Sequence, residues 1–317
     1  MILKKMLSFL NKPIIVEEQI AIPLTKEIKF KKYKLIVKFD FVLDKYQSQF
    51  KLYDKFLPFF CKDFNGFIID IGANVGDTSI AIFDQNDVVN ICGVEADEDF
   101  SSECRENISL NNLEDRYTLV EKILCSDNGN FIMKKADSNS TASIVLSIEK
   151  DNTKNTINYK ELMNLIPDLY KNNIDLLKID IDGYDWDVLD SFYQYYLEFF
   201  LAPRFIYFEM QTHNNFEINN NKDLINQNEI KLKYIESLKK LKEIGFDHYC
   251  IFDNFGTHIK ICNTIDEILE LNDYLVRSQV HNGHSTIYYL DILVFKEADI
   301  NSVKEKLVLY YQTTTNE

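Results

Sequence analysis

The stretch that decides the fold is Phe67-Ile68-Ile69-Asp70-Ile71-Gly72-Ala73-Asn74-Val75-Gly76-Asp77. A short, mostly apolar run ends at a glycine, a second glycine follows at Gly76, and Asp77 to Phe83 reads as a helix. A strand that turns on glycine straight into a helix is the opening of a βαβ unit. Downstream the alternation continues. Val89 to Glu95 reads as a second strand, Asp99 to Leu110 as a helix and Tyr117 to Leu124 as a third strand. After a break come Ile174 to Ile181 as a fourth strand, Asp185 to Tyr196 as a helix and Arg204 to Glu209 as a fifth strand. Glu229 to Ile244 has one apolar face and stops at Gly245, and His248 to Phe252 and Ile287 to Phe295 read as the last two strands. Strands separated by helices imply an α/β, doubly wound, mostly parallel sheet, here of seven strands.

Two regions stand outside the alternation. Ile28 to Leu43 reads as two strand-like runs and Tyr53 to Phe60 as a short helix. Residues 1–60 are therefore expected to form an N-terminal extension on a main domain over 61–317. Ser126 to Lys160 is rich in Asn, Ser, Thr and Asp, which suggests an insertion with a hairpin and a loop on the substrate side.

The chain has 317 residues, 46% of them hydrophobic, so a sizeable core needs no staples. Its formal charge of −15 opposes attraction to a phosphate backbone, which argues against a nucleic-acid partner. None of the six cysteines is in CxxC spacing, which fits reduced core cysteines and a cytoplasmic setting. No apolar run is long enough to cross a bilayer. Met1 to Leu10 is too short in its apolar part for a signal peptide and leaves at most a weak membrane-surface contact.

The glycine loop narrows the ligand. The series Gly72-x-Asn74-x-Gly76 breaks the dinucleotide fingerprint, and the phosphate-loop Lys-Ser/Thr pair is absent. A zwitterionic methionine tail fits better, with its carboxylate at the helix start near Asp77 and its amino group facing Asp70. Glu95 ends the second strand 19 positions past Gly76, where an acid can accept hydrogen bonds from both ribose hydroxyls. Ser126 and Asp127 follow the third strand on the same sheet edge and could meet an adenine amino group. The ligand expected is S-adenosylmethionine, held by Asp70, Gly72, Asn74, Gly76, Asp77, Glu95, Ser126 and Asp127. A side chain at Gly72 is expected to block that ligand.

Three separated motifs occur in order: Ile69-Asp70-Ile71-Gly72-Ala73-Asn74-Val75-Gly76-Asp77, then Val94-Glu95, then Lys178-Ile179-Asp180-Ile181-Asp182-Gly183-Tyr184-Asp185. Together they resemble the FkbM-type methyltransferases over about Gly66 to Glu209. The resemblance implies a class I methyltransferase (Rossmann-like) fold, S-adenosylmethionine as cofactor, and acceptors that include hydroxyls of sugars and glycosylated natural products. One departure is that Asp182 stands where the family usually has Glu.

A sugar hydroxyl is a weak nucleophile, so methyl transfer to it needs a base or a metal. Asp180, Asp182 and His213 are the candidate bases. Asp180, Asp182 and Glu209 could instead hold Mg²⁺, which would also relieve the repulsion among clustered carboxylates. The expectation is an O-methyltransferase acting on a saccharide or glycoconjugate. Two alternatives stay open: a non-catalytic binding module of the same fold, or a methyltransferase acting on a protein or a small metabolite.

Overall fold

The computed structural model describes residues 24–126, 131–135, 142–146, 156–181, 183–212, 223–282 and 287–314. A hairpin of β1 (Thr25–Lys29) and β2 (Lys34–Lys38) leads into α1 (Leu43–Gln49) and α2 (Phe56–Phe60). The alternating unit follows: β3 (Phe67–Ile71), α3 (Asp77–Gln85), β4 (Asn90–Val94), α4 (Glu98–Leu110) and β5 (Tyr117–Val120). Next come β6 (Ile123–Leu124), an antiparallel hairpin of β7 (Phe131–Lys135) and β8 (Ala142–Leu146), β9 (Thr156–Ile157), α5 (Tyr159–Leu165) and α6 (Asp168–Lys171). The chain then returns to the sheet with β10 (Ile174–Ile179), α7 (Asp185–Phe199), β11 (Phe205–Met210) and α8 (Asp223–Glu243). It closes with β12 (His248–Asp253), β13 (His258–Cys262), α9 (Ile265–Asn282), β14 (Leu290–Phe295) and α10 (Ile300–Thr314).

The main sheet has eight strands in the order β13-β12-β14-β11-β10-β3-β4-β5. From β5 to β11 the pairs are parallel, and β14 is inserted antiparallel to both β11 and β12. The seven expected strands are all present in the order of the class I methyltransferase fold. The eighth, β13, pairs antiparallel with β12 at the edge and was not expected from the sequence.

Two further expectations change. Tyr117 to Leu124 is two strands, because the chain turns at Glu121 and Lys122, with the Lys122 N–H donating to the Val120 carbonyl at 3.1 Å. The second piece, β6, leaves the main sheet and pairs in parallel with β9. The polar segment from Ser126 does contain a hairpin, β7–β8, but it also delivers α5, whose start carries a capping box of Asn158 and Glu161.

Strand periodicity sends alternate residues to opposite faces. Ile69, Ile71, Leu177, Ile179, Ile206 and Phe208 pack under α5, α7, α8 and α9. Ile68, Leu176, Phe205 and Leu293 pack under α2, α3, α4 and α10. Leu35 and Val37 of β2 join the second core. The extension is also tied by side chains of α4: Asn107 Oδ1 accepts from the Ile36 N–H at 2.8 Å, and Asn111 Oδ1 from the Lys34 N–H at 3.0 Å.

After β3 the chain builds outward to β4 and β5, then crosses back to β10 on the other side of β3. The crevice beyond the carboxyl ends of β3 and β10 is the topological switch point, where ligands of such sheets bind.

Candidate active site

Register aligns the polar residues of the second face into rows. Gly93 pairs with Asp70, Asp70 with Lys178, Lys178 with Tyr207 and Tyr207 with Leu293. At the rim, Glu209 pairs with Asp291. One sheet face therefore carries Asp70, Lys178, Tyr207, Glu209 and Asp291 towards the switch point.

Lys178 organises the middle of this face. Its ammonium is 3.1 Å from Asp70 Oδ1 and 3.4 Å from Asp180 Oδ2, and it donates to the Gly72 carbonyl at 3.0 Å. Asp70 is 0% exposed and Lys178 is 4% exposed. Burial works against the ammonium, but Asp70, Asp180 and Asp77 outweigh it and hold the lysine pKa above its ordinary value. The Ser79 hydroxyl donates to the other Asp70 oxygen at 2.7 Å. Asp70 thus reaches the loop through Lys178 and lies beneath it.

The loop itself is left-handed at three positions: Gly72 (φ +77°), Asn74 (φ +49°) and Gly76 (φ +85°). Gly76 is the N-cap residue of α3 and offers no side-chain cap. Glu95, just past β4, is buried and fastens the loop. One carboxylate oxygen accepts from the Asn74 N–H at 2.8 Å and the other from the Asp97 N–H at 2.7 Å. The Ala96 backbone adds a further hydrogen bond to the same carboxylate.

Gly72 also answers a demand of the fold. A Cβ there would stand 1.8 Å from the Asp180 carbonyl oxygen. The close approach of the chain just past β3 to the chain just past β10 requires glycine, so a substitution strains the fold as well as any ligand site.

Around the crevice the carboxylates are unevenly charged. Asp77, in the first turn of α3, is pushed up to about 6 by burial, against Lys178 and with Asp70 and Asp180 adding to it. Asp54, in the turn before α2, is exposed; crowding by the surrounding protein, then the charges of Asp77 and Asp180, push its carboxyl above the usual range, with Lys178 opposing. Asp291 is raised well above the usual carboxylate range by burial, then by Asp180 and Asp54, while a hydrogen bond with Tyr207 opposes the rise.

The remaining expected residues fall as follows. The Ser126 N–H and hydroxyl donate to the two carboxylate oxygens of Asp187 at 2.8 and 2.5 Å, which ties the end of β6 to α7. Asp180 follows β10 and is half-exposed beside Lys178. Glu209 is buried in β11. Asp127, Asp182 and His213 lie outside the described residues. Among the described residues, no three side chains of metal-ligating type converge.

Sequence reasoning missed Lys178, Asp54, Asp187 and Asp291. Lys178 left a signal: a lysine inside the otherwise apolar Leu176-Leu177-Lys178-Ile179 is costly unless paired. Asp54 and Asp291 left none, because each is an ordinary acid until the chain folds.

No curated protein matches the chain. Among solved structures it is similar to the plantazolicin methyltransferase BpumL in complex with SAH, at 12% identity over 80% of this chain and 88% of that one, TM-score 0.38. It is similar to the O-methyltransferase from Bacillus cereus in complex with SAH at 14% identity over 80% and 89%, TM-score 0.40. It is also similar to a putative O-methyltransferase from Klebsiella pneumoniae at 13% identity over 80% and 90%, TM-score 0.41. Likenesses of this depth carry no argument about residue roles or acceptor. The family model described as methyltransferase FkbM domain matches residues 70–242, more than half of the chain, from the last residues of β3 into α8. The chain belongs to the FkbM methyltransferase domain family and is an S-adenosylmethionine-dependent methyltransferase.

Proposed function

We propose that this methyltransferase acts on oxygen, methylating a hydroxyl of a sugar or glycoconjugate in the cytoplasm. The observation that carries this reading is the wall of hydrogen-bonding groups at the β3–β10 switch point. Asp54, Asp77, Asp180 and Asp291 act on one another there, with the phenols of Tyr53, Tyr207 and Tyr289 among them. A wall that mixes carboxyls and phenols offers both donors and acceptors, which suits a neutral, polyhydroxylated ligand. The overall charge of −15 disfavours polyanions.

The donor set fits S-adenosylmethionine. Glu95, at the end of β4, suits the ribose hydroxyls as an acceptor. The uncapped start of α3 suits the methionine carboxylate, and Asp77 in its first turn suits the ammonium. Asp70 supports this site from below through Lys178, and Gly72, Asn74 and Gly76 give the loop its shape. Ser126 and Asp127 would flank the adenine. The cofactor, when bound, supplies a sulfonium methyl group as the electrophile.

Lys178 places one positive charge between Asp70 and Asp180, which relieves part of the repulsion there without a divalent ion. An ion-assisted variant would place Mg²⁺ on Asp180, Asp182 and Glu209. Six buried cysteines that form no disulfide among the described residues favour a reducing compartment. Among the described residues no helix is long and apolar enough to cross a membrane.

The test is a screen of the purified protein with S-adenosylmethionine against nucleotide sugars and surface glycans, reading S-adenosylhomocysteine release and the methylated position. Methylation of a sugar hydroxyl is expected, unchanged in excess EDTA. Transfer to nitrogen or sulfur only, or to proteins or small metabolites, would overturn the acceptor reading. EDTA-sensitive turnover restored by Mg²⁺ would move the chemistry to the ion. Tight, salt-sensitive binding to RNA or DNA would sink the saccharide assignment.

A further inference from the structure

The hairpin of β1 and β2 lies outside residues 70–242 that define the family match. Its second strand is received by two asparagines of α4 and the residue just past it, one helical turn apart. Two strand residues advance by about 6.7 Å and four helix residues by about 6 Å, so Lys34 and Ile36 meet Asn111 and Asn107 in step. Asn111 bonds both backbone groups of Lys34, accepting from the N–H at 3.0 Å and donating to the carbonyl at 2.7 Å. Asn107 divides its amide instead. Its Oδ1 accepts from the Ile36 N–H at 2.8 Å, while its Nδ2 donates to the Val75 carbonyl at 3.1 Å. Asn107 and Val75 are both buried. One amide therefore joins the hairpin to the glycine loop. Its orientation is set by chemistry, since an N–H meets only the amide oxygen and a carbonyl only the amide nitrogen.

Val75 lies between the left-handed residues Asn74 and Gly76. Its peptide with Gly76 is held at both ends: the carbonyl by Asn107, and the Gly76 N–H by the Ala73 carbonyl at 2.8 Å. The next carbonyl, that of Gly76, accepts from the Ile80 N–H of α3 at 2.9 Å. The plane of the Val75–Gly76 peptide thus sets the direction of the first N–H groups of α3. Lys178 and Glu95 hold the same loop from the sheet, at the Gly72 carbonyl and the Asn74 N–H. We propose that Asn107 is a positioning residue of the cofactor site, bracing the Val75–Gly76 peptide against the N-terminal hairpin so that the start of α3 faces the methionine carboxylate. This rests on the placement of the cofactor at the loop given above.

Calorimetry of S-adenosylhomocysteine binding to the full chain tests the brace without an acceptor. Asn107→Ala should raise the dissociation constant about fivefold, the worth of one hydrogen bond. Alanine suits a helix interior, so α4 is kept. Asn111→Ala removes two bonds to the hairpin and none to the loop. It should lower thermal stability at least as much, with affinity within about twofold of wild type. Ile36→Pro removes the N–H that orients the amide, from the strand edge that faces α4, and should raise the constant about threefold. Asn107→Asp keeps the acceptor for Ile36 and turns a carboxylate on the Val75 carbonyl. Its loss, relative to wild type at the same pH, should be larger at pH 8.5 than at pH 6, because a protonated carboxyl regains the donor. Wild-type affinity in folded Asn107→Ala, or a loss in Asn107→Asp that is equal at both pH values, overturns the brace. Should Asn107→Ala not fold, Asn107→Asp carries the test. Wild-type affinity in Ile36→Pro overturns the part given to the hairpin. Glu95→Ala separates the two readings: if it too binds as wild type, the cofactor is not at this loop, whereas weakened binding there with unchanged binding in Asn107→Ala overturns the brace alone.

Discussion

Replacing Lys178 by methionine removes the cation that holds the floor of the site. The change keeps an unbranched stem of similar length and deletes one charge. Asp70 would then sit at 1% side-chain exposure with only the Ser79 hydroxyl as a partner, and the Gly72 carbonyl would lose its donor. Breaking a buried ion pair by removing one partner costs about 3–5 kcal/mol, because the other charge stays buried. Removing both charges costs less, so Asp70→Asn combined with Lys178→Met should be well short of the sum of the single variants. A coupling of about 2 kcal/mol is expected for groups in direct contact. Urea unfolding followed by circular dichroism measures all four proteins. The pH dependence has a defined sign. The lysine pKa is raised in the folded state, so its contribution is fully present below the unfolded value and is lost as pH rises through the folded one. The penalty of Lys178→Met should therefore be the same at pH 6 and pH 9 and shrink only above about 10.4. A single-variant cost below about 1 kcal/mol, or strict additivity in the double variant, would refute this account of the pair.

Three further outcomes follow from the same geometry. Glu95→Ala should weaken S-adenosylmethionine binding by about 1.5–3 kcal/mol, the value of hydrogen bonds to a charged group; calorimetry showing unchanged affinity in a folded variant would remove Glu95 from the site. Gly72→Ala should lower thermal stability by about 3 kcal/mol or more, from its clash with the Asp180 carbonyl and its positive φ; a variant as stable as wild type that merely fails to bind would show that this position faces the ligand after all. Asp77 must be ionised to receive an ammonium, and its carboxyl titrates at about 6, so affinity for S-adenosylhomocysteine should fall by up to tenfold per pH unit below that value. The fall should disappear in Asp77→Asn, and a wild-type affinity that stays flat from pH 7.5 to 5 would exclude Asp77 as the ammonium's partner.

What could be read from the chain alone was whatever is encoded within a few residues. The run Phe67 to Asp77 carries strand, glycine turn and helix start in one segment, and Glu95 follows at a spacing set by one helix and one strand. Periods of two and near four residues are local properties, so the parallel α/β class and most of its elements follow from them. The split of β5 from β6 was hidden because Tyr117 to Leu124 is apolar enough throughout to pass for one strand. Which face an acid or lysine takes, and what it meets there, depends on register between strands far apart in sequence. Asp70 and Lys178 are 108 positions apart and become neighbours only when β3 and β10 align. Ser126 meets Asp187 only when β6 is brought to α7. Asp54 and Asp291 are ordinary acids in the sequence, and folding sets like charges beside both and crowds Asp291 with protein. Local pattern thus determined the fold class and the cofactor loop, whereas the partners of the buried charges were decided by tertiary structure, because desolvation and Coulomb interaction depend on distance in space and not along the chain.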